Sequence, residues 1–200
     1  MINIGSKEKQ DRFAYLLCGN QGVFLDLGSR EPFVGNNTIF LESLGWTGFL
    51  FEIEHEFVEQ SKEERKSLAY CVDVTTPEFI ETLKNDAGVI NFDYISVDVD
   101  DSGLDALSNL LENGFTFKCM TFEHDYHKDG DIIRKPSREI LERYGYVMLF
   151  EDVNNNMNHP SSWEDWWINP KQFPDVLLDY KLSNKHYSIC IMKLEEYKND

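Results

Sequence analysis

Acidic side chains end the apolar, strand-like runs of this chain, where a parallel sheet would gather them. Asp26, Glu52 and Asp73 end the first three runs, and Asp98 and Asp100 end the fourth. A carboxylate at the end of an apolar strand is costly to bury without a partner, so a row of them predicts something that satisfies them. Ligands of open α/β sheets bind beyond the carboxyl ends of the strands. The acidic residues therefore predict a binding cleft at that edge.

Glycines in the segment after the first run could let the backbone approach such a ligand. Glu52 follows Gly28 by 24 residues, about the distance at which nucleotide-binding sheets place the acid that accepts the ribose hydroxyls. Asp73, one strand further out, would accept from an adenine amino group. The same residues also fit a plain tight turn between a strand and a helix, so both interpretations stay open at this point.

A general base is predicted at the end of the fifth run, where Glu123, His124 and Asp125 follow one another. An imidazole with an ordinary pKa of roughly 6.5 accepts protons near neutral pH. His124 is therefore the first candidate for catalysis, with Glu123 and Asp98 as the other candidates. The alternative interpretation is an exposed loop histidine that is satisfied by water.

Asp98, Asp100 and His124 also offer the ligand types of a divalent metal site, for Mg or Mn. A hard cation there would lower the pKa of a bound hydroxyl. In an extended strand, alternation places Asp98 and Asp100 on the same side. Carboxylate pairs at strand ends are also commonly solvated or cap helices, so the metal site is one of two interpretations.

The elements that would position these residues alternate along the chain. Seven apolar runs predict strands at residues 23–27, 48–52, 68–73, 92–98, 117–123, 146–150 and 187–192. Segments with helical spacing lie between them at residues 57–68, 77–83, 104–111 and 133–144. This order predicts an α/β fold with a seven-stranded, mostly parallel sheet and helices on both faces.

The length of 200 residues favours one domain, residues 1–200, with an irregular Trp-rich insertion at about 151–186. Long connections in compact domains are often functional. Trp163, Trp166 and Trp167 would stack on sugar rings or shield a site from water, or else pack on the sheet edge.

The net charge of −17 argues against nucleic acid and membrane surfaces as partners, because both are anionic. No apolar segment is long enough for a signal peptide or a membrane span, and the four cysteines form no Cys-x-x-Cys pair. We therefore expect a cytoplasmic protein with reduced thiols. The sequence does not indicate an oligomeric state.

Several linked motifs, in one order over residues 20–170, resemble the FkbM-type methyltransferases. They comprise Asp26-Leu-Gly28, Gly35-Asn-Asn-Thr38, Gly45-Trp-Thr-Gly48 before Glu52, Asp98-Val-Asp100, Thr121-Phe-Glu-His-Asp125, Gly145-Tyr146 and Glu164-Asp-Trp-Trp167. The resemblance implies a class I S-adenosylmethionine-dependent fold, in which the last strand is antiparallel and inserted beside the fifth. This chain departs from the family pattern in its first loop, where Gly35 follows Gly28 by seven residues and Arg30-Glu-Pro32 is inserted.

The same resemblance implies roles for individual residues. Asp26 and Gly28 would flank the methionine part of S-adenosyl-L-methionine, with Asn37 in the same binding loop. Glu52 would hold the ribose, Asp73 would face the adenine, and Asp98 would lie beside the amino acid tail or the reacting methyl.

We therefore predict an S-adenosylmethionine-dependent enzyme that methylates oxygen on a small molecule or glycan. One alternative is a methyltransferase fold that has lost turnover and serves as a binding protein. Another is a metal-dependent enzyme of other chemistry that uses the Asp98 and Asp100 cluster. The acceptor is not specified by these residues.

Overall fold

The computed structural model describes residues 5–155 and 162–199. In these ranges the chain builds one eight-stranded sheet. Its strands are β1 (Val23–Leu27), β2 (Thr47–Glu52), β3 (Leu68–Cys71), β4 (Asn91–Val97), β5 (Thr116–Glu123), β6 (Val147–Asn154), β7 (Ser162–Ile168) and β8 (Leu182–Ser183).

The strands are ordered β3-β2-β1-β4-β5-β7-β6-β8. The pairs among β1 to β5 are parallel, and β7 lies antiparallel between β5 and β6. The predicted α/β fold with a mostly parallel sheet is confirmed, including an antiparallel strand beside the fifth. The sheet has eight strands rather than seven, because the two-residue β8 pairs with β6 at the edge.

Helices cover both faces of the sheet, and each face buries its own apolar layer. One layer lies under α1 (Gln10–Cys18), α2 (Ile39–Leu44), α3 (His55–Glu64) and α8 (Tyr187–Asn199). The other layer lies under α4 (Pro77–Asp86), α5 (Gly103–Glu112) and α7 (Asp131–Arg143). The short helix α6 (Tyr126–Asp129) precedes α7. In the described residues no helix is long and apolar enough to cross a membrane. None of the four cysteines forms a disulfide bond.

The prediction of a strand at residues 187–192 was wrong, because this segment begins α8. Cys190, Ile191 and Leu194 are buried, which is the spacing of one helix face. Short apolar runs do not distinguish a strand from a buried helix by periodicity alone.

The antiparallel strand lies instead in the Trp-rich stretch. In place of the irregular insertion predicted at 151–186, β6 continues to Asn154 and β7 spans Ser162–Ile168, while residues 156–161 lie outside the described ranges. Trp166 and Trp167 are fully buried in the two apolar layers on opposite faces. Their packing on the sheet agrees with the structural alternative for this aromatic cluster.

Gly28 joins β1 to its following loop at a point where two strand ends touch. Its φ is +83°, and a Cβ there would lie 1.8 Å from the backbone oxygen of Asp98. Gly114 has nearly the same φ, +81°, with nothing within 4 Å of its Cβ position. The two glycines therefore share a backbone conformation and differ in surroundings.

We predict that Gly28→Ala destabilises the protein much more than Gly114→Ala. The positive φ costs an alanine about 1–2 kcal/mol at either position. Only at Gly28 does a further overpacking cost of about 1–3 kcal/mol arise, because the ends of β1 and β4 must separate. Urea unfolding of both variants measures this difference, and equal losses would contradict the contact.

Candidate binding cleft at the carboxyl ends of the strands

A cleft of about 600 Å³ opens where β1, β4 and β5 end. Because β7 runs antiparallel, its first residues adjoin the last residues of β5, and Glu164 lies directly opposite Glu123. Direct partners in a sheet project to the same face, so both side chains reach the cleft, which they line. The volume is in the range of roughly 300–1,000 Å³ that is typical of small-molecule and cofactor sites.

The loop that follows β1 is held by a buried arginine. The Arg65 guanidinium donates to the backbone oxygen of Pro32, to Asn36 Oδ1 (3.1 Å each) and to Thr38 Oγ1 (3.2 Å). Its Nε pairs with Glu42 Oε1 at 3.2 Å. Arg65 thereby fixes the loop that forms one wall of the cleft.

Asp26 lies on β1 at the base of this wall. Thr38 Oγ1 donates to its carboxylate at 2.7 Å, and the side chain is 1% exposed. Burial raises the pKa of Asp26 to about 6, against the lowering effects of the Thr38 hydrogen bond and the Arg65 charge. Asn37 lines the cleft beside it and donates to Ser96 Oγ at 3.0 Å.

Asp98 and Glu123 form a carboxyl pair at the ends of β4 and β5. Burial, a hydrogen bond to Asp98 and the Asp98 charge together raise the pKa of Glu123 well above its usual range. Two carboxyls in this relation share one proton, because both cannot ionise at low cost. We assign that proton to Glu123, whose pKa is the raised one.

Glu164 completes the acidic side of the cleft from β7. Gln10 Nε2, at the start of α1, donates to both of its carboxyl oxygens, at 3.2 and 3.3 Å. The side chain is 6% exposed. Burial, helped by the charges of Glu8 and Asp98, raises the pKa of Glu164 to about 8, against the lowering effects of hydrogen bonds from Trp166 and Gln10.

His124 lies on the opposite side of the sheet from Glu123. Its Nδ1 accepts from the backbone amide of Tyr126 at 3.2 Å, and its Nε2 faces Asp165 Oδ1 at 3.6 Å and Asp152 Oδ1 at 3.8 Å. Arg138 of α7 donates to both of these aspartates. The imidazole therefore belongs to a buried ion network between the sheet and α7.

Glu52 ends β2 with its carboxylate bound by backbone amides. Oε1 accepts from Ile53 (2.7 Å) and Glu54 (3.0 Å), and Oε2 accepts from Arg30 (3.0 Å). These bonds tie the loop after β1 to the turn after β2.

Asp73 is exposed, and its Oδ1 accepts from the amide and hydroxyl of Thr75 at 2.8 and 2.7 Å. These hydrogen bonds lower the pKa of Asp73.

The structure thus brings together some of the predicted site residues and separates others. Asp26, Gly28, Asn37, Asp98, Asp100 and Glu123 line the cleft; of the described residues in its lining, none is Glu52, Asp73 or His124.

The predicted metal set of Asp98, Asp100 and His124 is not assembled. β4 ends at Val97, and Asp100 starts a 3-10 turn with φ +46°, so the alternation argument for Asp98 and Asp100 does not hold. In the described part of the chain the group with metal-ligand spacing is His124, Asp152 and Asp165, and Arg138 already forms ion pairs with both of these aspartates.

Solved structures with a fold similar to that of this chain include methyltransferases. A TehB-like SAM-dependent methyltransferase from Corynebacterium glutamicum matches with a TM-score of 0.53 and 12% identity, over 82% of this chain and 88% of that chain. An O-methyltransferase from Bacillus cereus in complex with SAH matches equally (0.53, 12%, 83% of each chain). The chain has a methyltransferase fold.

A putative rRNA-methylase from Clostridium thermocellum matches with the same TM-score, 0.53, at 12% identity over 83% of this chain and 97% of that chain. The names of these structural neighbours thus indicate different methyl acceptors, although the neighbours share one fold. No protein-family model and no curated sequence matches the chain. Membership of the FkbM-type branch therefore stays a prediction.

Sequence reasoning missed Gln10, Glu8 and Arg65 as parts of the site. Gln10 and Glu8 precede the sheet by many residues and reach the cleft only through the packing of α1 against β5. Glu164 stood in one of the resembling motifs, and the signal that could have singled it out is an acidic residue in an otherwise apolar strand.

Buried carboxyls with raised pKa values make stability fall as pH rises. Between its ordinary value of 4.5 and about 8, Glu164 binds a proton in the folded state that the unfolded state has lost. We predict a lower melting temperature at pH 8.5 than at pH 5.5. The slope in this window reaches at most about 1.4 kcal/mol per pH unit for each such group.

Glu164→Gln should flatten this slope, since an amide cannot titrate. Glu81→Gln, on the exposed surface of α4, is the matched control and should keep it. Thermal unfolding across the pH range measures both, and an unchanged slope in Glu164→Gln would refute the assignment.

Proposed function

We propose that this protein is an S-adenosylmethionine-dependent methyltransferase that transfers the methyl group to oxygen on a small molecule or glycan. The observation that carries the proposal is a cleft at the carboxyl ends of β1, β4 and β5 in a methyltransferase fold, lined by Asp26, Gly28, Asn37 and Asp98. A structural neighbour that is an O-methyltransferase in complex with SAH supports the cofactor.

The charge of the cleft fits this cofactor. When bound, S-adenosylmethionine supplies an electrophilic methyl group on a positively charged sulfonium. Asp26 and Asp98 lie at the ends of adjacent parallel strands, β1 and β4, where their carboxylates favour a cationic ligand. Gly28, which lines the cleft between them, has no side chain and so lets the ends of β1 and β4 approach closely.

Glu52 is proposed as the ribose ligand, in a modified form. An ionised carboxylate offers about four acceptor sites, of which backbone amides use three. It therefore has room for about one ribose hydroxyl, where the sequence predicted two. Asp73 keeps its proposed place near the adenine only if the ligand extends over the end of β3.

Asp98 is proposed as the proton acceptor, in place of His124. The bound cofactor would supply the methyl group and keep the electron pair of the former carbon–sulfur bond on sulfur, and Asp98 would accept the proton of the hydroxyl that is methylated. Glu123 holds the proton that the pair shares and donates it to Asp98 in a hydrogen bond, which orients that carboxylate.

Cofactor binding is tested by calorimetry with S-adenosylmethionine and its demethylated product. We predict that the wild type binds both and that Asp98→Asn weakens S-adenosylmethionine binding more than product binding, because only the former carries the sulfonium charge. Asp179→Asn, at an exposed position, is the control. Absence of binding to the wild type would overturn the proposed function.

The base assignment is tested by turnover, once a panel of hydroxylated sugars and metabolites has given an acceptor. Asp98→Asn should lower kcat by roughly 10²–10⁴. Glu123→Gln should lower it less, because the amide donates the same hydrogen bond to Asp98 as the protonated acid. A larger loss in Glu123→Gln than in Asp98→Asn would exchange the two roles, and binding without turnover on any acceptor would favour a binding protein.

A further inference from the structure

One side of the cleft presents hydrogen-bond acceptors. Glu8, Gln10, Asp98, Glu123 and Glu164 form this acceptor wall, and all five line the cleft. Their backbone positions lie at or just before the start of α1, at the ends of β4 and β5, and near the start of β7. Packing thus brings together residues that are distant in the sequence to form the wall. A run of charged residues exposed to solvent along one helix would not require such packing.

Gln10 gives independent evidence that a ligand belongs there. Its side chain is 6% exposed, and its Nε2 is used by Glu164. Its Oε1 has no hydrogen-bond partner among the described residues. In this orientation Nε2 donates to both carboxyl oxygens of Glu164, whereas a turned amide could only accept one bond, and only from protonated Glu164, so the hydrogen bonds favour the orientation given. A buried carbonyl oxygen without a donor is costly, and a donor brought by a ligand would satisfy it.

The chain's own cations do not neutralise the wall. Of the described residues that line the cleft, three are basic: Lys7, Arg30 and Lys128. Lys128 is paired with Asp125, Lys7 lies along Gly35 on the opposite loop, and Arg30 is exposed in that loop. The acidic surplus is therefore left for an external cation.

A molecule with an amine fits this surplus better than a single metal ion. The wall's carboxylates are not among the described groups whose oxygens come close enough together to ligate one ion. An ammonium offers three N–H donors that point in different directions, and the rest of the molecule carries it. Trp163 lines the cleft next to Glu164, and an aromatic side chain beside carboxylates is a common setting for an organic cation.

We propose that the acceptor wall binds a protonated amine of the methyl acceptor, which is a hydroxyl compound of the amino-sugar or aminocyclitol class. This inference rests on the proposed function and names its substrate class. An ammonium held by carboxylates keeps its proton and has no free electron pair. The amine is therefore the group that is recognised, and a neighbouring hydroxyl receives the methyl group.

The test is calorimetry with amino sugars and their neutral counterparts at pH 7, in the presence of saturating S-adenosylhomocysteine. Glucosamine is compared with glucose, and galactosamine with galactose, since each pair differs in one ammonium in place of a hydroxyl. We expect at least one amino sugar to bind at least tenfold more tightly than its counterpart. Repeating the titration in a buffer of different ionisation enthalpy should reveal proton release, because Glu164 ionises as it meets the ammonium.

Glu164→Gln should weaken amino-sugar binding at least tenfold and abolish most of the proton release. Gln10 Nε2 can still donate to the new amide oxygen, so we expect the fold to persist, and thermal unfolding checks this. Affinity for S-adenosylhomocysteine should stay within twofold, which excludes that the wall serves the ammonium of the cofactor itself. Glu81→Gln is the control at an exposed site, and Glu8→Gln, at a less buried position of the wall, replaces Glu164→Gln if that variant does not fold.

Two results would overturn the inference and leave the proposed function standing. The first is S-adenosylhomocysteine binding with equal or no binding of the amino and neutral sugars. The second is loss of S-adenosylhomocysteine affinity in Glu164→Gln, which would assign the wall to the cofactor. A wild type that does not bind S-adenosylhomocysteine would overturn the proposed function instead.

Discussion

The pairing of β5 with the antiparallel β7 is the constraint on which the rest of the site depends. It places Glu164 opposite Glu123 and Asp165 opposite Phe122. Because neighbouring residues of a strand project to opposite faces, Glu164 goes to the α1 side and Asp165 to the α7 side. One dipeptide therefore supplies an acid to the cleft and an acid to the packed layer behind it.

Burying the carboxyl groups of the cleft has an electrostatic cost that interactions within the fold do not offset. Asp26, Glu123 and Glu164 all have raised pKa values, and burial is the largest cause in each. The charge of Asp98 adds to the effect at all three. Bringing a further negative charge into this space is unfavourable, while a positive charge is favoured, because the low local dielectric strengthens both interactions. The site is thus selective for the sign of its ligand's charge before any detailed contact is made.

The first six strands could be predicted from the sequence to within a few residues at most ends, because apolar runs and the turns between them are local signals. β7 could not, since Glu164 and Asp165 indicate a surface loop until their partners are known. Those partners are Gln10 and Arg138, 154 and 27 residues away. His124 is absent from the described lining of the cleft for a related reason: three consecutive polar residues suggest one cluster, but Glu123 and His124 project to opposite sides of the sheet. The rows of acids at strand ends did indicate the cleft, because the position of a strand end depends only on local sequence and the parallel order.

The two acids of β7, Glu164 and Asp165, are both buried but differ in the donors that surround them. Asp165 is fully buried, yet its pKa is lowered despite that burial, because the His124 imidazole faces it at 3.6 Å and Arg138 donates to it. Arg138 makes two bonds to Asp165, of 2.7 and 2.8 Å, and reaches Asp152 and Glu151 as well. Glu164, one residue earlier and almost as buried, is met among the described residues by neutral donors, the amide of Gln10 and the indole of Trp166. Removing the partner of a buried charge is strongly destabilising, so a charge that stays buried needs one. Among the described residues, an arginine serves Asp165 on the α7 side, and none serves Glu164 on the α1 side. On the cleft side neutral donors take the place of an arginine, so Glu164 holds a proton up to a pKa of about 8 and ionises at neutral pH when a cation approaches. This difference between adjacent residues is the strongest physical reason to expect a cationic ligand there.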